Sequence, residues 1–268
     1  MKDKIVIITG GSSGIGKALA EKFGSEGSKV LITGRNQQDL DATVNEMRSR
    51  NIEIVGFRAD VSQEGDNKAM AAEAIQKFGR IDILINNAGI SMRALFNEVD
   101  LEVVKKVMEI NFFGVLYATK YCLPEIIKNQ GSVVGISSIA GYRGLPGRTG
   151  YSASKFALNG FLEVLRTELL NTGVNVLTAC PGFTSTNIRK RSLTKYGSHQ
   201  GESPRDEENM MTSEEVAERI YHAVLKRKRI LVLTAMGKVA VWLNKVWPSL
   251  ADRLVFKVMA KEANAPHM

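Results

Sequence analysis

Residues 5–20 read IVIITGGSSGIGKALA. The opening run is short, β-branched and apolar throughout, which suits a strand covered on both faces. From Gly14 onward the composition is that of a helix. Gly10, Gly14 and Gly16 lie between the two at spacing G-x-x-x-G-x-G. Glycines permit a tight turn and let a phosphate approach the backbone, and the helix start adds unpaired N–H groups and a partial positive charge. The spacing departs from the commoner dinucleotide pattern G-x-G-x-x-G. A lone glycine turn is a weak signal, and an ordinary tight turn has the same look. Its place between a first strand and a helix gives it weight.

The same strand–helix rhythm continues along the chain. Strand candidates are 5–9, 29–33, 52–57, 81–87, 132–137, 174–179 and 230–234, rich in Val and Ile. Helix candidates are 14–26, 37–49, 63–78, 101–128, 152–171 and 213–227. Alternation over the whole length predicts an α/β fold with one doubly wound, seven-stranded parallel sheet and helices on both faces. Residues 183–211, polar and carrying Gly and Pro, break the rhythm as a substrate loop or lid. The stretch 236–268 is the other departure, a C-terminal helical extension in which Pro248 separates two amphipathic helices.

At 268 residues the chain suits one large domain. The net charge of +8 suits an anionic ligand, an acidic carrier or a membrane surface and identifies none of them. Cys122 and Cys180 stand apart, and His199, His222 and His267 are scattered, so no metal site and a reducing compartment are expected. The N-terminus enters a strand after four residues without a cleavable signal pattern, and no apolar run reaches membrane-spanning length. The expected location is cytoplasmic. KRKR at 226–229 reads as a solvated helix end, and nothing else supports nucleic-acid binding.

The second strand ends in LITGRN, with Gly34 where an NAD-selecting enzyme carries an acid that accepts from the ribose hydroxyls. Arg35 follows, and an arginine fork suits a 2′-phosphate. NADP(H) is therefore expected ahead of NAD(H). No second basic residue occurs at 11–13.

YSASK, 151–155, sets Tyr151 and Lys155 on one side of a helix. A free tyrosine, with a pKa of about 10, is a poor acid or base at neutral pH. A cation at about 4 Å and an effective dielectric near 20 stabilises tyrosinate by on the order of 4 kcal/mol, or roughly three pKa units. Alone, the pair reads either as a tuned acid/base or as a helix surface.

TGGSSGIG, NNAG at 86–89, Asn111 in INFFG, Ser138 in GISSIAG, YSASK and PGFTST at 181–186 occur in that order. Together, over about 4–235, they resemble the short-chain dehydrogenase/reductase family. The resemblance implies a single Rossmann-like, NADP(H)-binding catalytic domain over 1–235. It implies that Tyr151 exchanges a proton with the substrate oxygen and that Lys155 lowers the tyrosine pKa and bonds the nicotinamide ribose. Ser138 would hold the carbonyl oxygen, and Asn111 would anchor water in a proton relay. These roles suit hydride transfer, which leaves an alkoxide-like oxygen needing donors. Gly10, Ser12, Ser13, Gly14, Ile15 and Gly16 would cradle the cofactor phosphates, with Arg35 at the 2′-phosphate. Asp60 and Val61 would contact adenine, and Asn87, Ala88 and Gly89 would pass close to its ribose. Pro181, Gly182 and Thr186 would line the nicotinamide. Asn86 equally suits a role within the sheet, and Asp60 a strand-end cap.

The implied activity is interconversion of a ketone and a secondary alcohol. Arg189, Lys190, Arg191 and Lys195 either receive an anionic substrate group or are solvated. The tail, with Val239, Trp242, Leu243 and Val246 at helical spacing, packs on the domain or a second subunit, lies on a membrane, or walls a hydrophobic substrate. Tail and motifs are similar to those of membrane-associated reductases of acylated or alkylated dihydroxyacetone phosphate, and the stretches GGSSGIGKA and YSASKFAL resemble those of 3-ketodihydrosphingosine reductases. A small, lipid-like, long-chain ketone is the leading substrate, a carrier-bound 3-oxoacyl thioester the alternative, and a non-catalytic NADP(H)-binding protein the reading from another class. The family resemblance implies a homodimer or homotetramer through the helices of 101–128 and 152–171.

Overall fold

The computed structural model describes residues 1–205, 210–263 and 265; His267 and parts of the 183–211 loop and the tail lie outside them. Seven parallel strands form one sheet in the order β3-β2-β1-β4-β5-β6-β7. They are β1 (Ile5–Ile8), β2 (Lys29–Gly34), β3 (Ile54–Arg58), β4 (Ile83–Asn86), β5 (Ser132–Ile136), β6 (Asn175–Cys180) and β7 (Ile230–Val232). The strand order reverses between β1 and β4, and a crevice opens there beyond the carboxyl ends of the strands.

Helices α1 (Gly14–Ser25), α2 (Gln37–Arg48) and α7 (Ser213–Leu225) cover one face, and α3 (Glu64–Phe78), α5 (Gly114–Lys128) and α6 (Thr149–Glu168) the other. The central strands are buried along their whole length, which is why their sequences do not alternate. β7 is one edge of the sheet, and Ile230 is exposed there. Helix starts follow local chemistry. Asn36 accepts from Gln38 N at 2.9 Å, and Thr212 with Glu215 makes a capping box on α7.

Three features differ from the expected elements. The helix expected over 101–128 is α4 (Leu101–Met108), a π turn (Glu109–Phe113) and α5. The wider turn carries Asn111 inward to the loop after β4. Helix α6 begins at Thr149, three residues before the expected start. The 183–211 loop is fastened by isolated bridges, Met92 to Leu193 and Thr184 to Met211.

The tail forms α8 (Ala235–Val246) and α9 (Pro248–Met259), with Pro248 in the first turn, where a missing N–H costs nothing. Polar contacts fasten it to the domain, among them Arg143 to Asn244 and Asp252. Asn244 Nδ2 donates to Tyr142 O at 3.0 Å. Glu262, buried, accepts from Arg205 Nε at 2.6 Å and Arg148 Nη2 at 3.1 Å and faces Arg93 Nε at 3.5 Å. No helix of the described residues is long and apolar enough to cross a membrane.

Candidate active site

The crevice is a cavity of about 1320 Å³. It exceeds the 300–1,000 Å³ range of ordinary small-molecule sites, leaving room for a dinucleotide and a second ligand. One end is the turn between β1 and α1. Gly10 and Gly14 have φ of 65° and 51°, a conformation that favours glycine. A Cβ on Gly10 would lie 2.9 Å from Ala88 Cα, and one on Gly16 would lie 2.1 Å from Gly10 O. Gly10 therefore keeps the cradle open and Gly16 closes the packing behind it. The side chain of Ser13, the N-cap of α1, makes no capping bond, so the first turn offers its N–H groups to a ligand. These features fit a bound pyrophosphate.

Most residues expected at the cofactor line this cavity: Gly10, Ser12, Ser13, Gly14, Ile15 and Arg35 at one end, Asp60 and Val61 beside them, then Asn87, Ala88 and Gly89. Pro181, Gly182 and Thr186 line the opposite wall, where Thr186 faces Gly14. Gly16 does not reach the cavity surface. The Asn87 amide donates to Thr9 O and Gly10 O, both at 3.0 Å, so it braces the turn. Asp60 accepts from Ser62 N at 3.0 Å and Ser62 Oγ at 2.8 Å, a strand-end turn at the cavity edge. Asn86 is buried and donates to Thr119 Oγ1, within the fold.

The other end brings Ser138, Tyr151 and Lys155 together. Ser138 leaves β5 as the cap of a short 3₁₀ turn (Ile139–Gly141), its Oγ accepting from Ala140 N at 3.2 Å. Lys155 is buried and donates from Nζ to Ile136 O at 2.9 Å. Its Nζ lies 5.7 Å from the centre of the Tyr151 ring. Burial pushes Lys155 down to about 8. Burial also pushes the Tyr151 phenol above its ordinary range, partly offset by a hydrogen bond with Ser138 and the Arg148 charge. The expectation of a lowered tyrosine pKa is therefore not met in the protein alone. Desolvation disfavours the charged form of each member of the pair, and one lysine donor is committed to Ile136.

Asn111 does not line the cavity. Its Oδ1 accepts from Ile90 N at 2.8 Å, and its Nδ2 donates to Ile90 O at 2.9 Å and Ser154 Oγ at 3.0 Å. The side chain spends both of its N–H groups on protein acceptors. It holds the loop after β4 against the tyrosine helix.

Sequence reading missed several neighbours. Arg58 donates from Nε to Arg35 O at 3.2 Å and puts a second guanidinium near Arg35. Only the adjacency of β2 and β3, with Gly34 opposite Arg58, could have signalled it. Asp39, in the first turn of α2, lines the same end. Of the loop cations, Arg189 is buried and donates to Thr184 O at 2.8 Å, and Lys195 pairs with Glu98. Arg189 and Arg191 border the cavity, and Arg148 and Arg205 join them from outside the expected set. Val239, Leu243, Leu254 and Val258 form an apolar wall there.

A model of the short chain dehydrogenase family matches residues 4–197. A dehydrogenase/reductase SDR family member 7B from Rattus norvegicus is 36% identical over 98% of this chain and 82% of its own length. A dehydrogenase/reductase SDR family protein 7-like from Dictyostelium discoideum is 34% identical over 96% of this chain and 82% of its own. The crystal structure of a short-chain dehydrogenase/reductase from Burkholderia phymatum in complex with NAD is similar, with a TM-score of 0.84, 25% identity, and coverage of 93% of this chain and 95% of that one. Sheet order, glycine turn and relatives over nearly the whole length agree: the chain belongs to the short-chain dehydrogenase/reductase family of oxidoreductases.

Proposed function

We propose that the protein is an NADP(H)-dependent oxidoreductase that interconverts a ketone and a secondary alcohol on a hydrophobic, long-chain substrate. The observation that carries the reading is the meeting of Ser138, Tyr151 and Lys155 in a cavity with a glycine cradle at one end and an apolar wall near the other. The nicotinamide, when bound, supplies or accepts the hydride. Tyr151, kept protonated at neutral pH by burial, donates its proton to the carbonyl oxygen. Ser138 holds that oxygen by a hydrogen bond. The Lys155 cation stabilises the tyrosinate left behind, at a separation of 5.7 Å from the ring. Asn111 acts as a positioning residue for the helix that carries the tyrosine.

Preference for NADP(H) rests on Arg35, with Arg58 beside it and no acid at Gly34. Asp39 nearby works against a 2′-phosphate, and the Burkholderia relative was crystallised with NAD, so both cofactors belong in the assay. The apolar wall favours a lipid-like ketone over a carrier-bound thioester. Pairing of α5 and α6 with a second copy is supported by exposed Phe113 just before the first helix, Ile127 on it, and Phe156 and Val164 on the second.

The test is NADPH and NADH consumption against long-chain 3-keto bases, acyl-dihydroxyacetone phosphate, 3-oxoacyl thioesters and small diketones. Turnover of a lipid-like ketone that disappears in Tyr151→Phe is the expected result. Tight cofactor binding without turnover of any carbonyl would favour a binding protein. Unchanged turnover in the variant would overturn the assignment of Tyr151.

A further inference from the structure

Helices α8 and α9 have two sides. One side walls the cavity. The other leaves Trp242 61%, Val246 62%, Trp247 60% and Phe256 47% exposed. Lys238, Trp242 and Val246 follow one another at one-turn spacing, so they share a face of α8. Large apolar side chains clustered this way mark an interaction surface. Met236, Val239, Leu254 and Val258 belong to both sides: each lines the cavity and each is exposed. The cavity therefore opens outward through an apolar rim on this surface.

Charge identifies the occupant. Lys238, Lys245, Arg253, Lys257 and Lys261 are exposed along the two helices. The acids of the same stretch are already engaged, Asp252 with Arg143 and Glu262 with its arginines. Beside edge strand β7 a groove of about 280 Å³ is lined by Arg219, His222, Lys226, Lys228 and also Lys238. Lys238 joins this basic flank to the apolar face of α8. A second copy of the chain would bring like charges together. A bilayer with anionic headgroups accepts both components, tryptophans at the interfacial level and cations at the phosphates.

We propose that α8, α9 and the basic groove beside β7 dock on an anionic lipid surface, with the cavity mouth facing the bilayer. The part concerning substrate, entry of a hydrophobic ketone directly from the membrane, rests on the function proposed above. The docking does not.

The experiment is co-sedimentation of the full chain with phosphatidylcholine vesicles, with and without phosphatidylserine, following tryptophan emission. Binding to the phosphatidylserine vesicles, weakened by salt and accompanied by a blue shift, is expected. Trp242→Glu with Val246→Glu should abolish it. Lys226→Gln with Lys228→Gln should weaken it about 25-fold, at roughly fivefold per cation near the surface. None of these side chains lines the cavity, so turnover of a short, water-soluble ketone should persist in both variants. If no ketone is turned over, the catalytic reading fails while sedimentation still tests the docking. Absence of binding to phosphatidylserine vesicles, or binding unchanged by Trp242→Glu, overturns the proposal. So does conversion of a dimer to a monomer by Trp242→Glu, which would assign the face to a second copy.

Discussion

Lys155 donates from Nζ to the main-chain carbonyl of Ile136 at 2.9 Å and so ties helix α6 to the end of strand β5. The ammonium is buried where it sits, and its charge is carried at a cost. In the folded protein its pKa falls from 10.5 to about 8.

That depression makes a signed prediction. Below about pH 8 the lysine is protonated both folded and unfolded, and the burial penalty is fully present. Between about 8 and 10.5 the folded protein holds fewer protons than the unfolded chain, so this group's contribution improves as pH rises. Lys155→Met should therefore stabilise the protein at pH 7 by on the order of 1–3 kcal/mol, the loss of the bond to Ile136 being already subtracted. The advantage should vanish above about pH 10.5, as read from urea midpoints across pH. Turnover should be lost in the same variant. In the unaltered enzyme ketone reduction should decline as pH rises through about 8, where the cation beside Tyr151 disappears.

Tyr151→Phe should lower ketone turnover by about 10²–10⁴, the usual contribution of a positioned acid. The ring still fills its place, so the thermal midpoint and NADPH affinity should change little. Stopped-flow single turnovers separate the chemical step from binding.

Arg35→Ala should weaken NADPH by about 10–100-fold, the worth of a charge-assisted contact to phosphate, and NADH by much less. Fluorescence titration of both cofactors measures the ratio. Adding Arg58→Ala should narrow it further, because the Arg58 guanidinium is bonded to the main chain of Arg35 and adds positive charge there.

Gly16→Ala places a methyl 2.1 Å from Gly10 O and 2.5 Å from Asn87 Nδ2. The backbone cannot yield there without opening the turn. A stability loss on the order of 1–3 kcal/mol or more is expected, with loss of NADPH binding. Gly65→Ala, on an open surface of α3, should cost nothing and serves as the control in the same denaturation series.

Glu262→Gln removes the carboxylate that Arg93, Arg148 and Arg205 surround. Leaving buried cations unpaired costs about 3–5 kcal/mol. The loss should be local, appearing as faster hydrogen exchange over 235–263 while the central strands keep their protection.

The sheet was legible because buried parallel strands carry a continuous apolar signature, and the glycine turn because its backbone geometry demands glycine. Features that arise from long-range meeting were not. Nothing in EINFF marks Glu109–Phe113 as a π turn; the turn is paid for by Asn111 bonding Ile90, 21 residues away. Arg58 reads as a strand-end cation until β3 is laid beside β2. Glu262 reads as a surface acid at the end of a helix, yet its partners lie 57 to 169 residues earlier. The loop cations looked equivalent, and tertiary packing separated buried Arg189 from exposed Lys190.

The two ends of the cavity come from distant parts of the chain. The cradle is drawn from residues 10–89, the tyrosine and lysine from 151–155, and the apolar wall from 236–262. A ribosome releases these regions in that order, and domains form as their segments emerge. A nascent chain that has extended only through β7 already carries the cradle and Tyr151, while the wall and its Glu262 clasp are still to be made. Such a chain holds the glycine cradle and the tyrosine helix before the apolar wall at the far end of the cavity has been made.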